Sequence, residues 1–518
     1  MDGTAPTPHK ELELKLELPA QCLPALKKIP LLRSLRAEPK RTNEISVYFD
    51  TDKRKLRKRG LMLRVRRIGH RYMQTIKATG DSGPFERDEW EAEIAGHEPD
   101  LSMASGTALE PLLNGKLRRQ LKPLFETRVR RTVYPLADDT HAIALTVDRG
   151  TIGTGSRSLP LCEIELELRR GNVVELFDVA RELMRSLPAR LAVKSKSERG
   201  YELIDNRQDA PVKAALIDLP ASASTRDAFK MIGNACLEQV IGNAPAVING
   251  EPEGVHQMRV GLRRLRAGMR LFAGLLRDPE TEAITAELKW LTGELGPARE
   301  LEVLVNRIVT PTDKQQPRWD GVRSFWTELG KERQAALARA QNAVQSARFA
   351  ALTLEIAAWL QSGHWTAPPD DLIRDRGDLP IAVFAIEQLT RRWRKLRKKG
   401  KALAELDARG RHKLRIRTKK LRYAVEFFAS LFVSKRATKR RKQLGSVLVR
   451  LQEGLGELND IAVDEDRIAA MGIRRHSDPN RAFAAGVLTG REDARMEAAM
   501  AAATDAYAEL SQIKPFWR

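Results

Sequence analysis

Polar and apolar residues alternate with period two in a series of short segments up to about residue 205. They run Glu11 to Leu18, Ile45 to Phe49, Leu61 to Arg67, Met73 to Ala78, Phe85 to Ile94, Thr127 to Tyr134, His141 to Asp148 and Cys162 to Leu168. Period two places successive side chains on opposite faces, so the segments predict about eight antiparallel strands separated by turns such as 80–84. Helical spacing appears at Ala20 to Lys28, Pro111 to Leu121 and Val174 to Leu187. The stretch 206–222 reads as a linker, and beyond it nearly everything follows the helical period. The pattern predicts an α+β domain at 1–205, an eight-stranded antiparallel barrel with outer helices. An all-α domain at 223–510 follows.

The helical part repeats itself. HQMRVGLRRLRAGMRLF from His256 aligns with HKLRIRTKKLRYAVEFF from His412, and LTGELGPARELEVL from Leu291 aligns with LQEGLGELNDIAVD from Leu451. Two related helical bundles, about 223–365 and 375–510, are expected. On each helix an apolar stripe (Met258, Leu262, Leu265, Met269, Phe272; Leu414, Thr418, Leu421, Val425, Phe428) runs beside a basic one. The basic stripes are His256, Arg259, Arg263, Arg266 and Arg270, then His412, Arg415, Lys419 and Arg422.

Charge sharpens this picture. The 518 residues carry 90 Lys and Arg against 68 Asp and Glu, a net +22 that favours polyanionic partners. Few aromatics interleave the basic stripes, so base stacking has little to work with and nucleic acid is the weaker candidate. The three cysteines, Cys22, Cys162 and Cys236, are scattered, which argues against a disulfide framework or a cysteine zinc site. No apolar run reaches the roughly 18 residues of a membrane span. MDGTAPTPHK lacks a signal-peptide core, so a cytoplasmic location without membrane attachment is expected.

The strand faces carry the candidate chemistry. Glu11 and Glu13 share a face with Lys15, and Glu165 shares one with Glu167. Arg64 pairs with Arg66, Thr75 with Lys77, Arg87 with Glu89 and Glu91, and Arg128 with Arg130. Lys194 and Lys196 would share a face if that segment is extended. Carboxylates on one wall suit a hard divalent cation, and guanidinium and ammonium groups on the others suit phosphate oxygens. A closed barrel with a polar interior fits such segregation better than a half-exposed sheet.

Glu11-Leu12-Glu13-Leu14-Lys15 resembles the ExExK signature of the CYTH domain, the triphosphate tunnel metalloenzymes. YFDT, LRVR, TIK, ERDEWE, RVRR, VDRG, EIELEL and SKSERGYEL follow in the family's order over roughly residues 8–205. The resemblance implies hydrolysis of a linear triphosphate, inorganic tripolyphosphate foremost, to pyrophosphate and phosphate. Mg²⁺ or Mn²⁺ would sit on Glu11, Glu13, Glu165 and Glu167, with Asp148, Glu89 and Glu91 as candidates for a second metal or for orienting water. Lys15, Arg64, Arg66, Lys77, Arg87, Arg128, Arg130 and Lys196 would clamp phosphates. Which of Arg128, Arg130 and Arg131 faces inward stays open, because a bulge would exchange them. A nucleoside or thiamine triphosphate substrate is the enzymatic alternative.

The repeated helices resemble the CHAD domain over about 223–510, through the HxxR…LR pair and LQEGLGELND. That resemblance implies inorganic polyphosphate binding by the two basic stripes, and association with polyphosphate granules. Arg299-Glu300 departs from the second repeat's Asn459-Asp460, which puts the first copy of that element in question. A non-enzymatic polyphosphate scaffold is the competing class of function.

Overall fold

The computed structural model describes residues 9–33, 35, 38–79, 85–313, 320–473 and 479–517. Side chains at 9–11, 79, 87, 306–313, 320–326, 459–460, 462–473 and 479–494 lie outside the description, as does the expected turn at 80–84. The chain divides into two compact units. One comprises Met1–Ala214 with Asn234–Asn249 and Val344–Thr366; the other comprises Ala215–Gly233, Gly250–Ala343 and Ala367–Arg518. Among the described residues no helix is long and apolar enough to cross a membrane.

The strands are β1 (His9–Glu17), β2 (Lys40–Asp50), β3 (Leu61–Ile68), β4 (Arg71–Thr79), β5 (Glu86–Ile94), β6 (Lys122–Ala137), β7 (Ala142–Thr154), β8 (Arg157–Arg170) and β9 (Arg190–Ala192). The helices are α1 (Leu23–Leu26), α2 (Pro30–Arg33), α3 (Gly115–Gln120), α4 (Val173–Ser186), α5 (Lys196–Asp205), α6 (Thr225–Gly242), α7 (Ala244–Ile248) and α8 (Pro252–Leu271). They continue with α9 (Pro279–Asp313), α10 (Asp320–Gln345), α11 (Ala347–Ser362), α12 (Asp371–Asp378), α13 (Ile381–Gly400), α14 (Ala408–Phe427), α15 (Lys435–Ile473) and α16 (Pro479–Gln512).

The sheet order is β5-β4-β3-β2-β6-β7-β8-β1, and β1 also pairs with β5, which closes eight antiparallel strands into a barrel. The ninth strand, too short to register as alternation, pairs with Lys15–Glu17 of β1. Directly opposed residues share a face, so the register sorts every strand into inner and outer positions. On β1 and β8 the aliphatic residues Leu14, Leu16, Ile164 and Leu166 point out and are fully buried there. The amphipathic α4 packs on β8 with Leu176, Phe177, Ala180 and Leu183 turned inward. Ala104, Leu109 and Leu117 from the β5–β6 connection cover Leu63, Val65 and Ile76.

Part of the inner face is apolar. Tyr48, Phe125, Val129, Ile152 and Leu161 form a cluster that α5 completes with Tyr201 and Leu203. A Cβ at Gly200 would lie 2.1 Å from the Phe125 ring, so only glycine lets α5 approach that closely. Asp50, fully buried, accepts from the backbone of Thr51, Leu56 and Arg57 at 2.6–3.1 Å and from the Tyr201 hydroxyl at 2.9 Å. It thereby ties the β2–β3 connection to α5. Asp50→Asn keeps the shape but loses the charge that strengthens these bonds. A loss of about 1–3 kcal/mol in the unfolding free energy of the barrel is expected in urea titration.

In the second unit, α8 packs on α9 and α14 on α15, the two copies of the sequence repeat. Their apolar stripes are buried, Met258, Leu265, Leu414 and Leu421 completely. The aligned Phe272 and Phe428 meet with ring centroids 6.3 Å apart, and Phe384 of α13 stacks on Phe272 at 4.8 Å. The repeat is therefore also a core contact.

Candidate functional site

The register brings the charged positions into one interior. Glu13 opposes Glu167, Lys15 opposes Glu165, and Glu163 opposes both Glu17 and Asp148. Across the barrel Arg64 opposes Thr75, which opposes Glu91, and Lys77 opposes Glu89. Of these, Glu13, Lys15, Arg64, Lys77, Glu89, Glu91, Glu165 and Glu167 line a cavity of about 870 Å³ together with Arg66, Arg131 and Lys196. Glu11 and Arg87 oppose each other on β1 and β5, but their side chains lie outside the described residues.

One cluster is built around Lys196. Its ammonium lies 2.8 Å from Asp148, 2.5 Å from Glu163 and 2.7 Å from Glu165. Arg131 grips Asp148 through two hydrogen bonds, at 2.8 and 2.6 Å, and reaches Glu165 at 3.0 Å. Burial works against the charge on Glu165, but Lys196, Lys15 and Arg131 outweigh it and hold the acid well below the usual carboxylate range. Glu163 is buried more deeply in effect: desolvation raises its pKa to about 7, against the pull of Lys196. Burial opposes the charge on Lys196 as well, and the three carboxylates still hold its pKa well above the ordinary value.

A second cluster lies across β3, β4 and β5. Lys77 meets Glu89 at 3.0 Å, and Arg66 meets Glu91 at 2.8 Å and Glu44 at 3.4 Å. Arg64 approaches Glu89 and Glu91 at 3.7 and 3.8 Å. Lys15 pairs with Glu13 and lies 3.7 Å from Glu165, and Arg169 holds Glu167 at 2.7 Å. An anion bound here would compete with Glu89 and Glu91 for the same guanidinium groups.

The structure corrects the assignment on β6. Arg128 and Arg130 are exposed on the outer face, and Arg128 pairs there with Glu126. Thr42, Glu44 and Ser46 of β2 oppose Arg131, Val129 and Thr127, so the inward arginine is Arg131. The register of β2 on β6 shifts between Tyr48 and Phe49, upstream of these arginines on β6, and runs unbroken from Thr127 to Arg131. Lys196 also reaches the site differently from a strand residue. Ser195 and Glu198 form a reciprocal capping box, and Lys196 is the first residue of α5. The S-x-x-E spacing carries that signal in the sequence. Glu44 and Glu163 join the site too. Glu163 shares parity with Glu165 and Glu167, and Glu44 lies one position before the expected start of β2.

Oxygen donors at Asp148, Glu163 and Glu165 lie within 4.8 Å of one another, a donor set suited to a hard divalent cation. Lys196 already occupies that space. The opposed Glu13 and Glu167 offer carboxylates on the same interior face, with Glu165 two residues away along β8.

In the helical unit His256, Arg259, Arg263 and Arg299 influence one another. Burial and then Arg299 lower the His256 pKa, and burial with Arg263 and Arg299 lowers that of Arg259. Arg299 thus belongs with the first basic stripe; Asn459 and Asp460 lie outside the described side chains. Gly296 and Gly456, aligned in the repeat, sit beside the aligned Arg259 and Arg415. His412 is exposed, and Arg422 donates to Gln452 at 2.9 Å. Arg266 is half-buried, as is Lys419. Burial lowers the Lys420 pKa, and Arg270, Arg392, Lys395 and Arg417 lower it further, which places basic groups of α8, α13 and α14 near one another. Burial and Arg391 bring Arg392 down to about 10.

Comparison with known proteins places these features. Residues 9–201 match the CYTH domain and residues 232–469 match the CHAD domain. An inorganic triphosphatase of Haemophilus influenzae is 30% identical over 171 residues, 30% of this chain and 45% of that protein's length. The CHAD domain of the plant Ricinus communis is 30% identical over 59% of this chain and 98% of that one, with a TM-score of 0.49. A Hippeastrum protein with a dominant triphosphatase activity is 16% identical over 37% of this chain and 95% of its own, with a TM-score of 0.30. The chain carries a CYTH domain followed by a CHAD domain.

Proposed function

We propose that the barrel hydrolyses inorganic tripolyphosphate to pyrophosphate and orthophosphate with a divalent metal, and that the helical domain binds inorganic polyphosphate. The observation that carries this reading is the cavity itself. Lys15, Arg64, Arg66, Lys77, Arg131 and Lys196 face one interior together with Glu13, Glu165 and Glu167. Its similarity to an inorganic triphosphatase supports the same substrate.

The chain's own residues supply binding and charge neutralisation. Arg64, Arg66 and Lys77 hold phosphate oxygens and lower the repulsion that a linear triphosphate presents to an incoming oxygen. Lys15 steadies the end nearest Glu165. Water attacks the terminal phosphorus, the bridging P–O bond breaks, pyrophosphate leaves with that electron pair, and the water proton passes to solvent or a carboxylate. Glu13 and Glu167, with Glu165, would hold Mg²⁺ or Mn²⁺, which supplies charge neutralisation on the phosphate oxygens when bound. The buried Lys196 and Arg131 fix Asp148 and Glu165 in place.

In the helical domain, His256, Arg259, Arg263 and Arg299 on one repeat and Arg415, Lys419 and Arg422 on the other offer cations to a polyanion, and tether the enzyme to polyphosphate.

Phosphate release from tripolyphosphate, longer polyphosphate, ATP and thiamine triphosphate, each with Mg²⁺ and Mn²⁺, tests the reading. Tripolyphosphate should give the highest kcat/KM. Preference for ATP or thiamine triphosphate would overturn the substrate assignment. Competition between polyphosphate and DNA at one fixed salt concentration tests the helical half, and polyphosphate should win.

A further inference from the structure

Ten large apolar side chains are exposed among the described residues, and four of them fall between 372 and 386. Leu372 lies on α12, Leu379 caps that helix, and Val383 and Ile386 stand on α13. They are 80, 40, 55 and 42% exposed. A single exposed apolar residue is ordinary on a surface, whereas a run of them marks a place that another surface covers. The other side of α13 anchors it, with Phe384, Leu389, Trp393 and Leu396 buried. Val383, Ile386, Thr390, Arg394 and Arg397 recur at spacings of three and four, so they form one stripe along the outer side. Thr390, half-buried in the middle, accepts from Trp517 Nε1 at 3.0 Å.

Charge differs between the two ends of this face. Residues 370–378 carry Asp370, Asp371, Asp375 and Asp378 against Arg374 and Arg376. Residues 391–401 carry eight Lys and Arg and no acid. Glu387, the one acid of α13, is exposed between the apolar and basic stretches. Both ends have internal partners. Asp371 pairs with Arg374 at 2.8 Å and Asp378 with Arg226 at 2.9 Å, while Arg391 and Arg392 donate to Gln388 at 2.6 and 2.5 Å. The contrast in sign between the ends is what remains. An anionic surface suits the basic end alone and would meet aspartates beside Leu372 and Leu379. A second copy of the chain offers a complement to both ends and to the apolar stretch between them.

We propose that α12 and α13 form an isologous dimer face. A two-fold axis near Val383 and Ile386 packs the apolar stretch against its own copy. The helices then run antiparallel, and the acidic end of each lies on the basic end of the other. Parallel packing would set eight cations against eight, so charge selects the antiparallel arrangement.

Sedimentation velocity of the full chain, without polyphosphate, tests the face. A species of about twice 58.2 kDa should form at micromolar concentration. Val383→Asp with Ile386→Asp places unpaired carboxylates in the contact and should weaken the dimer at least about tenfold. Arg394→Glu and Asp375→Arg should each weaken it alone. An equimolar mixture of those two variants should recover the dimer, because both cross-pairs again join opposite charges. All four positions are exposed, so the variants should fold, and far-ultraviolet circular dichroism verifies it. Wild type that stays monomeric up to about 100 µM overturns the proposal. If that monomer sediments with phosphatidylglycerol vesicles and Val383→Asp abolishes this, the face belongs to a lipid surface instead. A dimer that these substitutions leave intact, or a mixture that does not recover, also overturns it, since the contact then lies elsewhere.

Discussion

Replacing Lys196 with methionine is expected to destabilise the barrel by about 3–5 kcal/mol, because one buried ammonium compensates three carboxylates. Lys196 is nearly inaccessible and lies within 2.8 Å of Asp148, Glu163 and Glu165. Its removal leaves Arg131 as the remaining partner of Asp148. Calorimetric unfolding of the full chain, followed through the barrel's transition, checks this. A loss below about 1 kcal/mol would show that the cluster is solvated and that Lys196 is dispensable to it. The pH dependence follows with its sign. Asp148 and Glu165 titrate below their ordinary values of 3.8 and 4.5, so their contribution is present above those values and is lost as pH falls through the lowered ones. Glu163 runs the other way. Its pKa of about 7 means the folded barrel retains a proton that the unfolded chain has lost above 4.5, so its contribution declines from pH 4.5 to 7. Glu163→Gln should flatten that decline.

The second large effect concerns turnover. Glu13→Gln with Glu167→Gln removes an opposed carboxylate pair from the interior without changing its shape. Divalent-dependent phosphate release from tripolyphosphate should fall by at least about 100-fold, the range seen when transition-state charge stabilisation is lost. Polyphosphate binding by the helical domain should persist in the same protein, measured by fluorescence anisotropy of a labelled chain. Unchanged turnover would remove these carboxylates from the metal site.

Much of the barrel was legible because its two faces differ in kind. Leu14 and Leu16 pack outward while Glu13 and Lys15 face inward, so alternation alone named the interior residues of β1. The same parity holds for Arg64 and Arg66, Thr75 and Lys77, Glu89 and Glu91, and Glu165 and Glu167. Parity failed on β6, where Arg128, Arg130 and Arg131 are adjacent charges and only the partner strand decides which one turns in. It failed again at Lys196, where a capping box starts a helix and the lysine enters from α5. Residues from distant parts of the chain were beyond reach altogether. Glu238 stands on a helix of ordinary helical period, and nothing local says that it lines the cavity of the barrel. The helical repeat was readable because Phe272 and Phe428, identical in position, are both core residues, whereas Arg299 joined the basic stripe only through packing of α9 on α8.

The most direct test is a ³¹P NMR time course of tripolyphosphate with the full chain and Mg²⁺. The account predicts that tripolyphosphate disappears as pyrophosphate and orthophosphate appear in equal amounts, and that chelating the metal stops the reaction. Tripolyphosphate that stays intact beside folded protein, with either Mg²⁺ or Mn²⁺, would contradict it.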